Sequence, residues 1–341
     1  MSNWYEHKDC EKTPIISSRV RLARNLVKYP FSVQQDNENI RAMIEEVHTQ
    51  LSNDFDFTEP TKDDIITRLG MVESHDISPE VLKLGTERPF ALLKNDSANI
   101  MLGEEDHIRI QAVAAGDNLD KAYEKANELD DKLDNLIDYA YHKDLGYLTS
   151  CPTNTGTGLR ASFMVHIPMI EKSGGLTNLV RHLSKLGLTV RGIYGEGSKP
   201  CGSIYQVSNQ VTLGKSEAEI IEELKTVGSR LIESERTLLQ SAFTTSQLEI
   251  EDVIYRSLGL LSHARRLTLN EAMESLSAIR VGILSGIIKE SSFDMPIYCV
   301  MINIQPGNLQ KRAGKHLSEN DILIERAKYL REVFNRDKQG G

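Results

Sequence analysis

Ser17-Ser18-Arg19-Val20-Arg21-Leu22-Ala23-Arg24-Asn25 is the stretch on which the reading of this chain turns. With Ile15-Ile16 before it, the run mixes β-branched residues with arginines and reads as a strand from Ile15 to Leu22, ended by Tyr29-Pro30-Phe31. Side chains alternate along a strand, so Arg19 and Arg21 point to one face. Two guanidinium groups on one face repel each other unless an anion lies between them. Phosphate oxygens suit their fork geometry.

A second stretch, Glu104-Glu105-Asp106-His107-Ile108-Arg109, sets three carboxylates beside another arginine. Cations for an anionic ligand and carboxylates for a cationic one point to phosphoryl transfer onto a basic acceptor. A guanidinium acceptor is a poor nucleophile, because its nitrogen lone pairs are delocalised and it stays protonated. Carboxylates that orient its planar fork and help remove a proton meet that difficulty. Glu105 and Asp106 are the candidates for that work, and Glu196 in Tyr194-Gly195-Glu196-Gly197 offers a second wall. Taken singly, an acidic triplet is an ordinary solvated turn and an arginine an ordinary surface ion pair. Arg19, Arg21, Arg109, Arg160 and Arg191 each lie near a strand or a Gly-rich turn, which favours an anion site. Cys151 has two readings: a buried structural cysteine, or a thiolate near arginines that touches a cationic substrate.

Composition narrows the classes. The 341 residues are 40% hydrophobic and 26% charged, enough for two domains with a buried core. A net charge of -9 argues against direct, non-specific nucleic-acid binding and is compatible with basic partners. Cys10, Cys151, Cys201 and Cys299 are far apart with no CxxC pair, so a reducing, cytoplasmic location is expected. The polar N-terminus lacks a signal-peptide core, and no apolar run is long enough to span a membrane. The histidines show no metal-ligand spacing, so no metal site built from protein side chains is expected. Gly192 to Gly197 is followed by Ser198-Lys199-Pro200, which excludes a Walker loop, and the HRD and DFG triplets of protein kinases are absent.

Periodicity predicts an α+β chain. Ile40, Met43, Ile44, Val47 and Leu51 mark an amphipathic helix, and a long one runs from Leu119 to Ala140. Strands are expected over 91–94, 99–102, 107–113, 147–150, 161–166, 189–194 and 204–207, with a helix over 177–186. Capping boxes at Ser216–Glu219 and Thr268–Glu271 open two further helices, the first running to Leu239. Polar residues 244–249 read as a joint between a catalytic region, 14–240, and a helical C-terminal domain, 245–335, suited to dimerisation, substrate binding or regulation.

Ser17 to Arg21, Glu104 to Arg109, Cys151-Pro152-Thr153-Asn154-Thr155-Gly156-Thr157 and Arg160-Ala161-Ser162 resemble the catalytic motifs of the phosphagen (guanidino) kinases. Val190 to Ser198 and Gln206 to Gly214 resemble the bacterial branch that acts on arginine in proteins. The resemblance implies an antiparallel sheet flanked by helices, ATP with Mg²⁺ as donor, and protein substrates with exposed arginines. By position it implies nucleotide binding by Ser17, Ser18, Arg19, Val20, Arg21, His75, Arg109, Arg160, Ala161, Ser162, Phe163, Met164, Arg191, Gly192, Ile193, Tyr194, Gly195 and Glu196. It places Glu105, Asp106, Glu196 and Cys151 at the acceptor. It also implies a cytosolic stress-response role, with a zinc-binding activator protein, an AAA+ unfoldase and a homodimer. Tyr194 and Lys199 stand where small-guanidine kinases carry arginine and glutamate, and the small N-terminal domain is missing, both favouring a protein acceptor; Gly103 stands where the family has Asn, a change in the loop that keeps the carboxylates. Ile322-Leu323 replaces the Arg-Asp half of a phosphoarginine-binding motif whose second half is Arg326-Ala327, so that pocket is expected to be lost or weak. The alternatives are a kinase of free arginine and a phosphoarginine-binding adaptor.

Overall fold

The computed structural model describes residues 3–31, 36–51, 54–96, 98–192 and 201–335. Its strands are β1 (Ile15–Arg24), β2 (Asp56–Thr58), β3 (Ala91–Lys94), β4 (Asn99–Leu102), β5 (Ile108–Ala115), β6 (Tyr141–His142), β7 (Gly146–Tyr147), β8 (Leu159–His166), β9 (Leu188–Gly192) and β10 (Ile204–Asn209). Among the described residues, eight of them form one sheet in the order β2-β3-β4-β5-β1-β8-β10-β9, every pair antiparallel. β6 and β7 make a separate hairpin. The arginine-bearing strand therefore lies inside the sheet, between β5 and β8.

Register sorts side chains between the two faces. Val20, Leu22, Ile110, Ala112, Ala161, Phe163 and Val207 turn inward and are buried. They pack against α1 (Asn37–Leu51), α3 (Leu119–Asp134) and α6 (Glu217–His263) in one core. α1 presents Ile40, Met43, Ile44, Val47 and Leu51 to it, each worth about 1.5–3 kcal/mol of burial. The opposite face carries Arg19, Arg21, Arg109, Arg160 and Arg191. Between the strands run α2 (Ile65–Glu73), α4 (Pro168–Lys172) and α5 (Leu176–Lys185). The C-terminal helices are α7 (Leu269–Leu284), α8 (Ile297–Asn303), α9 (Pro306–Ala313) and α10 (Glu319–Phe334). They share a second core with Tyr5, Cys10, Ile16, Met164 and Ile204, so they seat directly on one end of the sheet.

Three local expectations are revised. α3 stops at Asp134, because the apolar residues beyond it return to β1. Leu26 bridges Tyr139, and the Ala140 amide donates to the Asn25 carbonyl at 2.7 Å. The strand expected over 147–150 shrinks to Gly146–Tyr147, since Thr149 bonds the Cys151 carbonyl at 2.7 Å and the Ser150 amide goes to a side chain. Residues 244–249 are not a loop. They lie within α6, which breaks only at Ser246 (φ −146°, ψ 41°). Just before the break, Thr244 and Thr245 donate their hydroxyls to the carbonyls of Gln240 and Ser241, a local bonding that bends helices. Both capping boxes form, at Ser216–Glu219 and Thr268–Glu271.

Arg24 closes the far end of β1. It is 1% exposed and its Nε donates to both Asp130 oxygens at 3.0 and 3.1 Å. Its Nη1 donates to the Thr157 carbonyl at 2.9 Å, and its guanidinium lies 3.6 Å from the Tyr147 ring centre. One side chain thus fixes α3, the Cys151–Gly158 loop and the small hairpin together. Replacing Arg24 with Ala leaves Asp130 charged and buried. The expected loss is about 3–5 kcal/mol of unfolding free energy, measured by urea denaturation.

Candidate active site

Strand pairing assembles the arginines. Arg21 stands opposite Arg160 on β8 and Gln111 on β5, and Ala23 stands opposite Arg109. Arg191 faces Gln206 across β9 and β10, and Arg19 donates to the Gln206 side chain at 2.9 Å. All five arginines line one cleft of about 800 Å³ with His75, Ile77, Ser78 and Gly192. Burial and the neighbouring guanidinium groups weaken the hold of Arg19 and Arg21 on their protons. Arg19 is pulled down to about 10 by desolvation and by Arg160, and Arg21 falls well below its usual value by desolvation and by Arg19, Arg109 and Arg160. The Arg21 Nε is buried without a hydrogen-bond partner among the described residues. This concentration of positive charge fits a polyanion of the size of a nucleoside triphosphate.

A second cleft, about 510 Å³, is lined by Glu105, Cys151, Thr153 and Asn154 together with Arg21, Arg109 and Arg160. The two clefts therefore share three arginines. The acidic triplet that lies between them divides into three positions. Glu104 is 6% exposed at its side chain and pairs with Arg109 Nη1, also receiving the Ser78 hydroxyl. Glu105 is 45% exposed, opens into the second cleft and holds Arg109 Nη2 at 3.2 Å. Asp106, expected beside Glu105 at the acceptor, instead turns inward and is 1% exposed. Its Oδ1 accepts from Asn25 Nδ2 at 2.7 Å and from the Ser150 amide at 2.6 Å. The physical reason is the bend after Gly103, which puts successive side chains on different sides of the loop.

Gly103 makes that bend, with φ +81°. A Cβ there would lie 2.9 Å from Ile40 Cγ2 and 3.1 Å from the Pro89 carbonyl. The left-handed conformation explains the residue type, since Gly adopts it freely and Asn tolerates it. His107 then locks the loop: its amide donates to Asn25 Oδ1, Nδ1 accepts from the Leu26 amide, and Nε2 lies on the Pro30 carbonyl, each at 2.9 Å. Through Ser150, Asp106 also ties the loop to Cys151. The Cys151 sulfur lies 3.0 Å from the Thr153 hydroxyl, and Thr212 donates to the carbonyls of Thr153 and Thr155 at 2.9 and 2.7 Å. Gly158 (φ +64°) lets this loop pass the Ala23 carbonyl, which a Cβ would meet at 2.6 Å.

Other sequence-predicted residues fall in three groups. Ser18, Val20, Ala161 and Phe163 face the core, contrary to a side-chain role at the nucleotide, because they alternate with the arginines. Ser18 serves the backbone instead, donating to the Gly116 carbonyl at 2.8 Å and accepting from the Asn118 amide at 2.9 Å. Ser17, Ser162 and Met164 share the arginine face but are buried at its covered end. Ile193, Tyr194, Gly195, Glu196 and Lys199 lie outside the described residues. Glu104, Gln111 and Gln206 line or brace the site without having been singled out. Gln111 lies two residues along β5 from Arg109 and Glu104 adjoins Glu105, which was the available signal, whereas Gln206 meets Arg191 only through the pairing of β9 with β10. Among the described residues, no group of three His, Cys, Asp or Glu could hold a metal ion, and no helix is long and apolar enough to cross a membrane.

Known proteins resemble this chain in sequence and in fold. A family model described as the ATP:guanido phosphotransferase C-terminal catalytic domain matches residues 37–238, and one for the protein-arginine kinase McsB C-terminal domain matches 247–340. The chain is 41% identical to the protein-arginine kinase of Bacillus subtilis over 350 residues, covering 100% of this chain and 95% of that one. It is also 41% identical to that of Caldanaerobacter subterraneus, covering 96% and 98%. Among solved structures, the duplicated taurocyamine kinase of Schistosoma mansoni superposes with a TM-score of 0.59 at 26% identity, over 72% of this chain and 36% of that longer one. Lombricine kinase superposes at 0.57 and 23% identity over 69% of each, a likeness of fold. The sheet, the arginine cleft and these matches over nearly its whole length make the chain a member of the guanidino phosphotransferase family, in its protein-arginine kinase branch.

Proposed function

We propose that this protein transfers the terminal phosphoryl group of ATP to arginine side chains of other proteins. The observation that carries the reading is the pair of clefts joined through Arg21, Arg109 and Arg160. One cleft is built for an anion. The other opens a carboxylate, Glu105, toward the same three cations. The full-length similarity to proteins named protein-arginine kinases favours a protein acceptor over free arginine.

In this reading Arg19, Arg21, Arg109, Arg160 and Arg191 hold the phosphates, and His75 lines the nucleotide's side of the cleft. Mg²⁺, brought with the ATP, would supply further neutralisation of the phosphate charge that these arginines hold. Glu105 receives the acceptor guanidinium, sets its fork and takes up its proton as the N–P bond forms and the terminal P–O bond breaks. Glu105 is shared with Arg109, so phosphate oxygens that draw Arg109 toward them release the carboxylate for the acceptor. Asp106 acts through the loop, holding Glu105 against the Cys151 segment. Cys151 borders the same pocket, and the family resemblance adds Glu196, outside the described residues, as a further carboxylate for the acceptor.

The family resemblance supports a cytoplasmic stress-response setting, in which modified proteins are passed to an AAA+ unfoldase with help from a zinc-binding activator. It also supports a homodimer formed through the C-terminal region. Arg326 is 2% exposed and donates to the carbonyls of Ile304 and Leu267 at 3.0 Å each, in keeping with a lost phosphoarginine pocket.

The deciding experiment supplies MgATP with an arginine-rich protein and, separately, with free arginine. Acid-labile phosphate is expected on the protein, and its appearance on free arginine alone would sink the reading. Glu105→Gln should lower kcat by roughly 10²–10⁴-fold with the fold intact, as loss of a positioned acid–base group does. Arg21→Met should leave the ligand-free protein at least as stable, since it removes a crowded buried cation. It should also abolish the ligand's stabilisation, about 2.7 kcal/mol for wild type at a hundredfold excess over Kd, read by thermal melts with and without MgATP.

A further inference from the structure

His75 is held in an uncommon way. Its φ is +62°, a left-handed conformation that a non-glycine residue keeps only when its surroundings impose it. The amide donates to the Val72 carbonyl at 3.0 Å, and the carbonyl accepts from Gln111 Nε2 at 2.8 Å. Those two bonds aim the side chain at the arginine cleft, which His75 lines. Burial and the Arg19 charge push the imidazole down to about 3, so the ring is neutral at working pH. A neutral imidazole offers one donor and one acceptor, and which nitrogen does which depends on its partners.

One partner comes from far along the chain. The hydroxyl of Tyr298, on α8, lies 2.9 Å from His75 Nε2, and the two rings are nearly parallel at 11°. Tyr298 is 2% exposed and is itself fixed in place. Its amide donates to Glu11 Oε1 at 3.1 Å, while Glu11 Oε2 lies 3.1 Å from Arg280 Nε on α7. Arg280 is fully buried and also donates to the carbonyls of Cys10 and Thr13 at 2.7 Å each. Trp4, the single tryptophan of the chain, completes the cluster with ring centres 5.6 Å from Tyr298 and 6.0 Å from His75.

We propose that Tyr298 is a positioning residue for the nucleotide: its hydroxyl sets the rotation of the His75 ring in the cleft, so the C-terminal helical region governs affinity for ATP. The proposal rests on reading the arginine cleft as the nucleotide site. Its effect belongs to nucleotide binding and not to the acceptor, because His75 and Arg19, the groups Tyr298 acts on there, both line the arginine cleft and neither lines the Glu105 cleft.

Trp4 supplies the readout, since its emission should change on MgATP binding without any acceptor or activator. Full-length wild type, Tyr298→Phe, His75→Gln and the double variant are titrated, with thermal melts as a check on folding. Tyr298→Phe and His75→Gln should each raise the MgATP Kd by about two- to thirteenfold, the range one hydrogen bond spans. The double variant should show no further loss. In turnover of Tyr298→Phe, KM for ATP should rise while kcat and KM for the protein acceptor hold; a purely structural role would lower kcat through the folded fraction. Wild-type affinity in either single variant, or losses that multiply in the double, overturns the proposal while leaving the nucleotide site standing. Failure of wild type to bind MgATP in equilibrium dialysis overturns the nucleotide reading and the proposal with it.

Discussion

Mutual repulsion among the guanidinium groups of one sheet face is the constraint around which this molecule is arranged. Arg19, Arg21, Arg109 and Arg160 lie on adjoining strands, and their charges add to burial in weakening the hold of Arg19 and Arg21 on a proton. Nothing in such a cluster favours folding. It persists because the other face of the same strands buries Val20, Leu22, Ile110, Ala112, Ala161 and Phe163, and strand alternation makes the two faces inseparable. Stability gathered on one side of the sheet sustains an unfavourable charge pattern on the other, and an anionic ligand relieves it.

The acidic triplet shows how three chemically similar neighbours acquire different work. The positive φ of Gly103 turns the chain, and the next three carboxylates leave the bend in different directions. Glu104 is enclosed with Arg109, Glu105 stays at the mouth of the second cleft, and Asp106 goes into the protein to bind Asn25 and Ser150. Only Glu105 combines exposure with access to the shared arginines. Asp106 acts at one remove, because the carboxylate that receives the Ser150 amide also decides where the Cys151 loop starts.

Much of this was legible in the sequence. Alternation in Ser17–Arg24 gave the common face of Arg19 and Arg21, and two capping boxes located the starts of α6 and α7. What was not legible depended on partners distant in sequence. The apolar run after Asp134 has helical spacing, yet its residues pair with the end of β1. The polar residues near Ser246 have the composition of a linker, yet their hydroxyls bond within the helix and permit a kink without a loop. Ser18, Val20, Ala161 and Phe163 share motifs with the arginines, yet the period of two sends their side chains to the core. Tyr298 and Glu11 gave no local signal at all, since each matters through a residue hundreds of positions away.

The two regions that composition divides are joined by buried, directional bonds. Glu73, at the end of α2, accepts the amides of Gly307 and Asn308 at 2.8 Å each and so caps the N-terminus of α9. Burial raises its carboxyl to about 7, against the pull of those two amides, so this junction is made at a desolvation cost. Arg280 similarly spends a fully buried guanidinium on Glu11, His166 and two carbonyls of the N-terminal segment. Buried polar junctions add little net stability, but their geometry is directional and tolerates few alternative arrangements. An apolar contact alone would let the helical region slide on the sheet. These bonds fix it in one register, and that register is what brings a C-terminal tyrosine to the edge of the arginine cleft.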